Sequence, residues 1–182
     1  MSENLEIISH PVVQHKLGLL RKVETTSPEF RLIVQQLSPL LAYEACRDWF
    51  TQEEQEVLTP MGETAKSKFI TDWPVLVSIM RAGNGMLDPI LSLFSFSAAG
   101  HIGIYRDKFI KNTVEYYFRL PDNVQDKKIL LLDPLVATAD TVIASIDRLK
   151  QYDVGEIRML TLLISKLGVT KIKSFHPDVR IF

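Results

Sequence analysis

The chain has 182 residues, 46% hydrophobic and 24% charged, with a formal net charge of −1. This suffices for one domain with a sizeable core and is short for two. The balanced charge excludes a basic nucleic-acid surface and an acidic tail, so any anion would be handled at a local site. The single cysteine, Cys46, excludes an internal disulfide and points to a reducing compartment, the cytoplasm. Cys46 sits on a helical pattern in AYEACRDW and reads as a buried structural thiol, not a nucleophile. No apolar run approaches membrane-spanning length, and the polar opening MSENLEIISHP is unlike a signal peptide.

In chain order, residues 11–21 open with Pro in a good first-turn position and predict a short helix. Residues 28–49 place Phe30, Ile33, Val34, Leu37, Leu40, Leu41 and Tyr43 on a helical period interrupted by Pro39. A mid-helix Pro costs roughly 3 kcal/mol. Ser38 as N-cap with Pro39 at the first position would avoid that, so a break is expected there. EVLTPMGE reads as a short strand and turn, and PVLVSIM (74–80) as a buried strand. RAGNG follows as a loop, then MLDPILSLF as a helix. AAGHIGIY, TVEYYFRL, KKILLL and EIRMLTLLI are further strands. DTVIASIDRLKQY is a clear helix, KLGVTKIKSF a weaker one, and VRIF a terminal strand.

Strands alternating with helices predict an α/β fold with a mainly parallel sheet flanked by helices. AAGHIGIY and TVEYYFRL have only RDKFIKN between them, which predicts an antiparallel β-arm over about 98–120. The whole chain is expected to be one domain, with N-terminal helices over 10–49 and the core over 53–182. Ligands in such sheets bind at the carboxyl ends of strands. RAGNG and DPLVATAD sit there.

RAGNG (81–85) puts Arg81 ahead of two glycines at a strand end, where backbone N–H groups could approach an anion and Arg81 could add a forked charge. It could equally be a turn with a surface Arg. YRD (105–107) is either part of a basic loop that closes over a polyphosphate or a solvated hairpin end. Asp133 can accept hydrogen bonds from sugar hydroxyls, and the helix start after Thr138 offers N–H groups and a positive dipole end to a phosphate. His101, Tyr116 and Tyr117 read as packing or interface residues. His10, His15 and His176 lack metal-ligand spacing. No GxGxxG or Walker A sequence is present.

Together these segments resemble the uracil phosphoribosyltransferase family, a branch of the type I phosphoribosyltransferases. HPVVQHKLGLLR, LLAYEACRD, LTPMGE, MRAGNGM, GHIGIYRD, VEYYFRLP, LLLDPLVATAD and FHPDV occur in the family's order at about its spacing. The Asp133–Pro134 pair is a specific mark of this branch. The resemblance implies the type I phosphoribosyltransferase fold and a reaction of pyrimidine salvage. In it, uracil attacks C1 of phosphoribosyl pyrophosphate to give UMP and pyrophosphate, with magnesium on the pyrophosphate. By matched position, Arg81, Ala82 and Gly83 would hold pyrophosphate and Arg106 would reach it from the arm. Asp133 would bind ribose hydroxyls, and Ala137, Thr138, Ala139, Asp140 and Thr141 would cradle the 5′-phosphate. No residue is assigned as a protein metal ligand. The resemblance also implies a homodimer or larger assembly. A full-length paralogue is one partner to expect, while nucleic acid and membrane are not.

Two departures from the family pattern set the expected activity as weak or lost. The family has two glycines where this chain has Ala139 and Asp140. A left-handed conformation there would cost a non-glycine residue roughly 1–2 kcal/mol. A carboxylate about 4 Å from a phosphate charge meets repulsion on the order of 4 kcal/mol at an intermediate dielectric. Asp140 could instead cap the helix it begins. The chain also ends at Phe182, where the family continues into a segment of the type YIVPGLGDAGDR that recognises uracil. The alternative expectation is a non-catalytic family member, serving as a partner subunit or a nucleotide sensor.

Overall fold

A computed structural model describes residues 4–106 and 113–182, with Arg106 described by its backbone alone. Two helices lead the chain, α1 (Pro11–Leu20) and α2 (Ser27–Ala45). Three strands follow, β1 (Thr51–Leu58), β2 (Thr64–Asp72) and β3 (Val75–Met80), then α3 (Asn84–Leu93). Next come β4 (Ala99–Arg106), β5 (Thr113–Arg119), β6 (Ile129–Leu132), β7 (Leu135–Val136) and α4 (Asp140–Lys150). The chain closes with β8 (Ile157–Leu160), β9 (Leu163–Ile164), α5 (Lys166–Phe175) and β10 (Arg180–Ile181).

Strands β10-β8-β6-β3-β4-β5 form a six-stranded sheet in that order, parallel throughout except for β5, which runs antiparallel to β4. The central strands β3, β6 and β8 are buried on both faces, as a sheet covered on both sides requires, whereas the edge strand β5 is mostly exposed. Alternation divides them between two cores. Leu76, Leu130, Leu132 and Leu160 face α2 and α3, joining Leu37, Leu41, Met86 and Ile90. Val77, Ile79, Leu131 and Met159 face α4 and α5, joining Val142, Ile146, Leu149 and Ile172. Cys46 is fully buried in the first core, and burial pushes its thiol up to about 12, as befits a packing residue.

α2 does not break at Pro39. Ile33, Val34, Leu37, Ser38, Leu41, Ala42 and Ala45 make one buried stripe across the proline, so continuing the helix retains more packing than capping a new one. Ser38 is no cap; its hydroxyl donates to the Val34 carbonyl at 2.6 Å. The cap is Thr26, in a capping box with Glu29.

β4 and β5 belong to the main sheet, because β4 finds a parallel partner in β3 from Ala99 to Gly103. The RDKFIKN connection lies outside the described residues beyond Arg106. The ladder that stands apart is β1–β2, a separate antiparallel pair crossed by a Lys66–Glu54 ion pair at 2.9 Å. EIRMLTLLI divides into β8 and the short β9, which pairs with β7.

Candidate active site

From β3 the chain goes to β4 on one side, and later returns through β6 to the other side of β3. The order of strands therefore reverses between β3 and β6, the place where open α/β sheets form a crevice beyond their carboxyl ends. The loops after β3 and β6 both open there.

β3 leads into Arg81 and Ala82, which are exposed, and Gly83, which is buried. A Cβ at Gly83 would lie 2.4 Å from the Leu132 carbonyl oxygen, 2.6 Å from that of Ile79 and 2.8 Å from the Ile79 nitrogen. Glycine is needed there for close approach: the loop after β3 rests on the last residue of β6. Below it, the buried Ser78 hydroxyl donates to Asn84 Oδ1 at 2.7 Å and lies 2.9 Å from His101 Nδ1. This network fastens the first residue of α3 to β3 and β4. Asn84 and Gly85, expected in the loop, already belong to α3. Arg106 ends β4, three residues past the Gly103 that pairs with Met80 in the parallel ladder. Its backbone is therefore at the same end of the sheet, and its side chain lies outside the described residues. A cavity of about 290 Å³ adjoins the crevice, between Phe30, Val34 and Gln35 of α2 and Arg81, Ala82 and Pro134.

Asp133 follows β6 directly. Burial pushes its carboxyl up from 3.8 to about 6, opposed by the Leu135 N–H, which donates to Oδ1 at 3.3 Å. A raised carboxyl favours the folded state when it is protonated. Its contribution is fully present below about pH 4 and is lost as pH rises through about 6. Asp133→Asn is expected to remove that loss. Measured by urea unfolding at acid and neutral pH, the stability drop between the two should be smaller in the variant by on the order of 2 kcal/mol.

The segment from Ala137 to Thr141 turns from β7 into α4. Ala139 is the helix N-cap residue at φ 63°, ψ 4°, a left-handed conformation in which glycine would be unstrained. Ala139 supplies no side-chain cap, and Asp140 is the first helical residue. Asp140 Oδ1 accepts from Lys171 Nζ of α5 at 2.8 Å, and Oδ2 accepts from the Thr138 hydroxyl at 3.0 Å. The sequence put a carboxylate at this loop but gave no signal for its partner. Lys171 is 31 residues away on an otherwise ordinary helix.

The structure thus brings Arg81, Ala82 and Gly83 together with the end of β6 and Asp133–Pro134, and the 137–141 loop follows four residues later, between β7 and α4. Sequence reasoning missed Lys171 and the role of Ser78 and His101 beneath the loop. A serine within the apolar run of β3, six residues before Asn84, was the only available hint of the latter. Fold and crevice together define the type I phosphoribosyltransferase class. A hypoxanthine phosphoribosyltransferase from Staphylococcus aureus shares the fold at 14% identity, with a TM-score of 0.55 over 88% of this chain and 74% of that one. A solved structure of an Aquifex aeolicus protein is far more similar, at 27% identity and a TM-score of 0.89, covering 98% of this chain and 85% of that one. The sequence model of uracil phosphoribosyltransferase matches residues 7–182. Uracil phosphoribosyltransferases from Polaromonas naphthalenivorans and Myxococcus xanthus are 44% and 41% identical over 98% of this chain and 85% and 84% of theirs. The chain belongs to the uracil phosphoribosyltransferase family.

Proposed function

We propose that the chain transfers the phosphoribosyl group of phosphoribosyl pyrophosphate to uracil, giving UMP and pyrophosphate, at a rate well below that usual for enzymes. The observation that carries this reading is the meeting of the two loops at the crevice, the Gly83 backbone against Leu132, with Asp133 next in the chain. A uracil nitrogen bonds to C1 as the C1–pyrophosphate bond breaks, and catalysis is a matter of position and charge. Arg81 is a forked donor for the departing pyrophosphate, with the Ala82–Gly83 backbone beside it and Arg106 from the end of β4. Magnesium would be held by the pyrophosphate oxygens and would neutralise their charge. Among the described residues no group of three or more His, Cys, Asp or Glu could hold an ion. Asp133, ionised above about pH 6, accepts from the ribose hydroxyls. The 137–141 loop and the start of α4 receive the 5′-phosphate. The cavity beside Arg81 and Pro134 is open to the base.

The reduced rate follows from Asp140, whose carboxylate stands in the loop that receives the 5′-phosphate. A second reading, a non-catalytic partner subunit or nucleotide sensor, is favoured by the Asp140 carboxylate at the phosphate loop. Uracil, phosphoribosyl pyrophosphate and magnesium are expected to yield UMP below the usual range of about 1–1000 per second. Binding of phosphoribosyl pyrophosphate without turnover would establish the second reading. No binding at all would end the enzyme and the sensor and leave the partner subunit.

A further inference from the structure

We propose that Lys171 is a counter-charge that lets the 137–141 loop accept a phosphate despite Asp140, so that an Asp140–Lys171 ion pair borders the 5′-phosphate of a ribose. This rests on the reading of that loop given above.

α5 is locked to the loop along its first turn. The Ser165 hydroxyl donates to the Ala137 carbonyl and accepts from the Gly168 N–H at 2.9 Å, capping the helix. The Ser165 N–H donates to the Val136 carbonyl at 3.0 Å. A Cβ at Gly168 would come 3.2 Å from the Ala137 carbonyl oxygen, so helix and loop meet at backbone distance. Lys171 follows Gly168 by three residues and therefore shares its face of the helix. It reaches Asp140 Oδ1 at 2.8 Å, with side chains 35% and 25% exposed. An ammonium this close to a carboxylate leaves a phosphate facing a dipole where it would otherwise face a full negative charge. The ammonium has three donors, so a bond to Asp140 does not exhaust it.

The test is calorimetry on the full chain with ribose 5-phosphate, which carries only the 5′-phosphate, and with inorganic pyrophosphate as control. Lys171→Met is expected to weaken ribose 5-phosphate binding by about tenfold or more. Adding Asp140→Gly should return the affinity to within about threefold of the parent, since both charges of the pair are then gone. Pyrophosphate affinity should stay within about twofold throughout. A purely structural lysine would not be rescued by removing its partner. Thermal unfolding of each variant controls for folding, and Lys171→Gln replaces Lys171→Met if that chain does not fold. Unchanged ribose 5-phosphate affinity in the lysine variant, no recovery in the double variant, or binding gained only on removal of Asp140 overturns the inference. Equal binding by all the chains removes Lys171 but leaves the phosphate loop, whereas binding by none removes the loop as well.

Discussion

Glycine at both Ala139 and Asp140 is expected to raise the affinity for phosphoribosyl pyrophosphate by about ten- to a hundredfold. A bare carboxylate about 4 Å from a phosphate would cost on the order of 4 kcal/mol at an intermediate dielectric. The Lys171 ammonium, 2.8 Å from Asp140, offsets much of that. With Asp140 gone, that ammonium faces the phosphate unpaired, a gain of about 1–3 kcal/mol. Glycine at 139 acts differently. Ala139 is already left-handed at φ 63°, so relief of its strain stabilises free and bound chains alike. The gain in affinity should therefore belong to position 140 and the gain in unfolding temperature to position 139. Isothermal calorimetry and thermal melts on the two single variants separate them. An affinity indifferent to Asp140 would place the phosphate elsewhere.

Gly83→Ala should be the most damaging small substitution in the crevice. Its Cβ would meet three backbone atoms closer than 3.0 Å, those of Ile79 and Leu132, and none can swing away as a side chain does. Relieving the clash means separating the ends of β3 and β6, at a cost of about 3 kcal/mol or more. Gly85→Ala is the matched control. Its Cβ would have nothing nearer than Val34 Cγ1 at 3.8 Å, and it lies within α3, where alanine is preferred to glycine by about 1 kcal/mol. Denaturant unfolding should show the two substitutions moving stability in opposite directions. Equal effects would mean that Gly83 does not bind the two loops together.

The parallel core was legible because burial leaves a mark on composition. ILLL and VLVSIM can hardly be anything but strands covered on both faces, and each is followed by its site loop. Asp133 and the turn into α4 could be located for the same reason. What lacked burial lacked a signal. β2, TAKSKFITD, is mostly exposed, so no alternation marks it, and its pairing with β1 could not be foreseen. Pro39 misled in the opposite sense: a local penalty was visible, while the buried stripe from Ile33 to Ala45 that offsets it depended on knowing which face the helix would cover. At the candidate site the charge of Asp140 could be read directly, but its neutralisation by Lys171 is a product of tertiary packing between α4 and α5. The sequence pattern therefore overstated the obstacle to a phosphate.

The β1–β2 ladder has a consequence for how the molecule comes apart. Eight and nine residues long, it contributes no residue to either core, and a two-stranded ladder is at best marginally stable by itself. Its root is held by Asp72, whose carboxylate pairs with Lys127 at 3.3 Å and Lys128 at 3.4 Å. Opening the ladder breaks its hydrogen bonds and wets almost no core surface. The hairpin can therefore melt and re-form as a unit of its own, at a free energy set by its root and cross-strand pairs, while β3 and β6 open only when the whole protein unfolds.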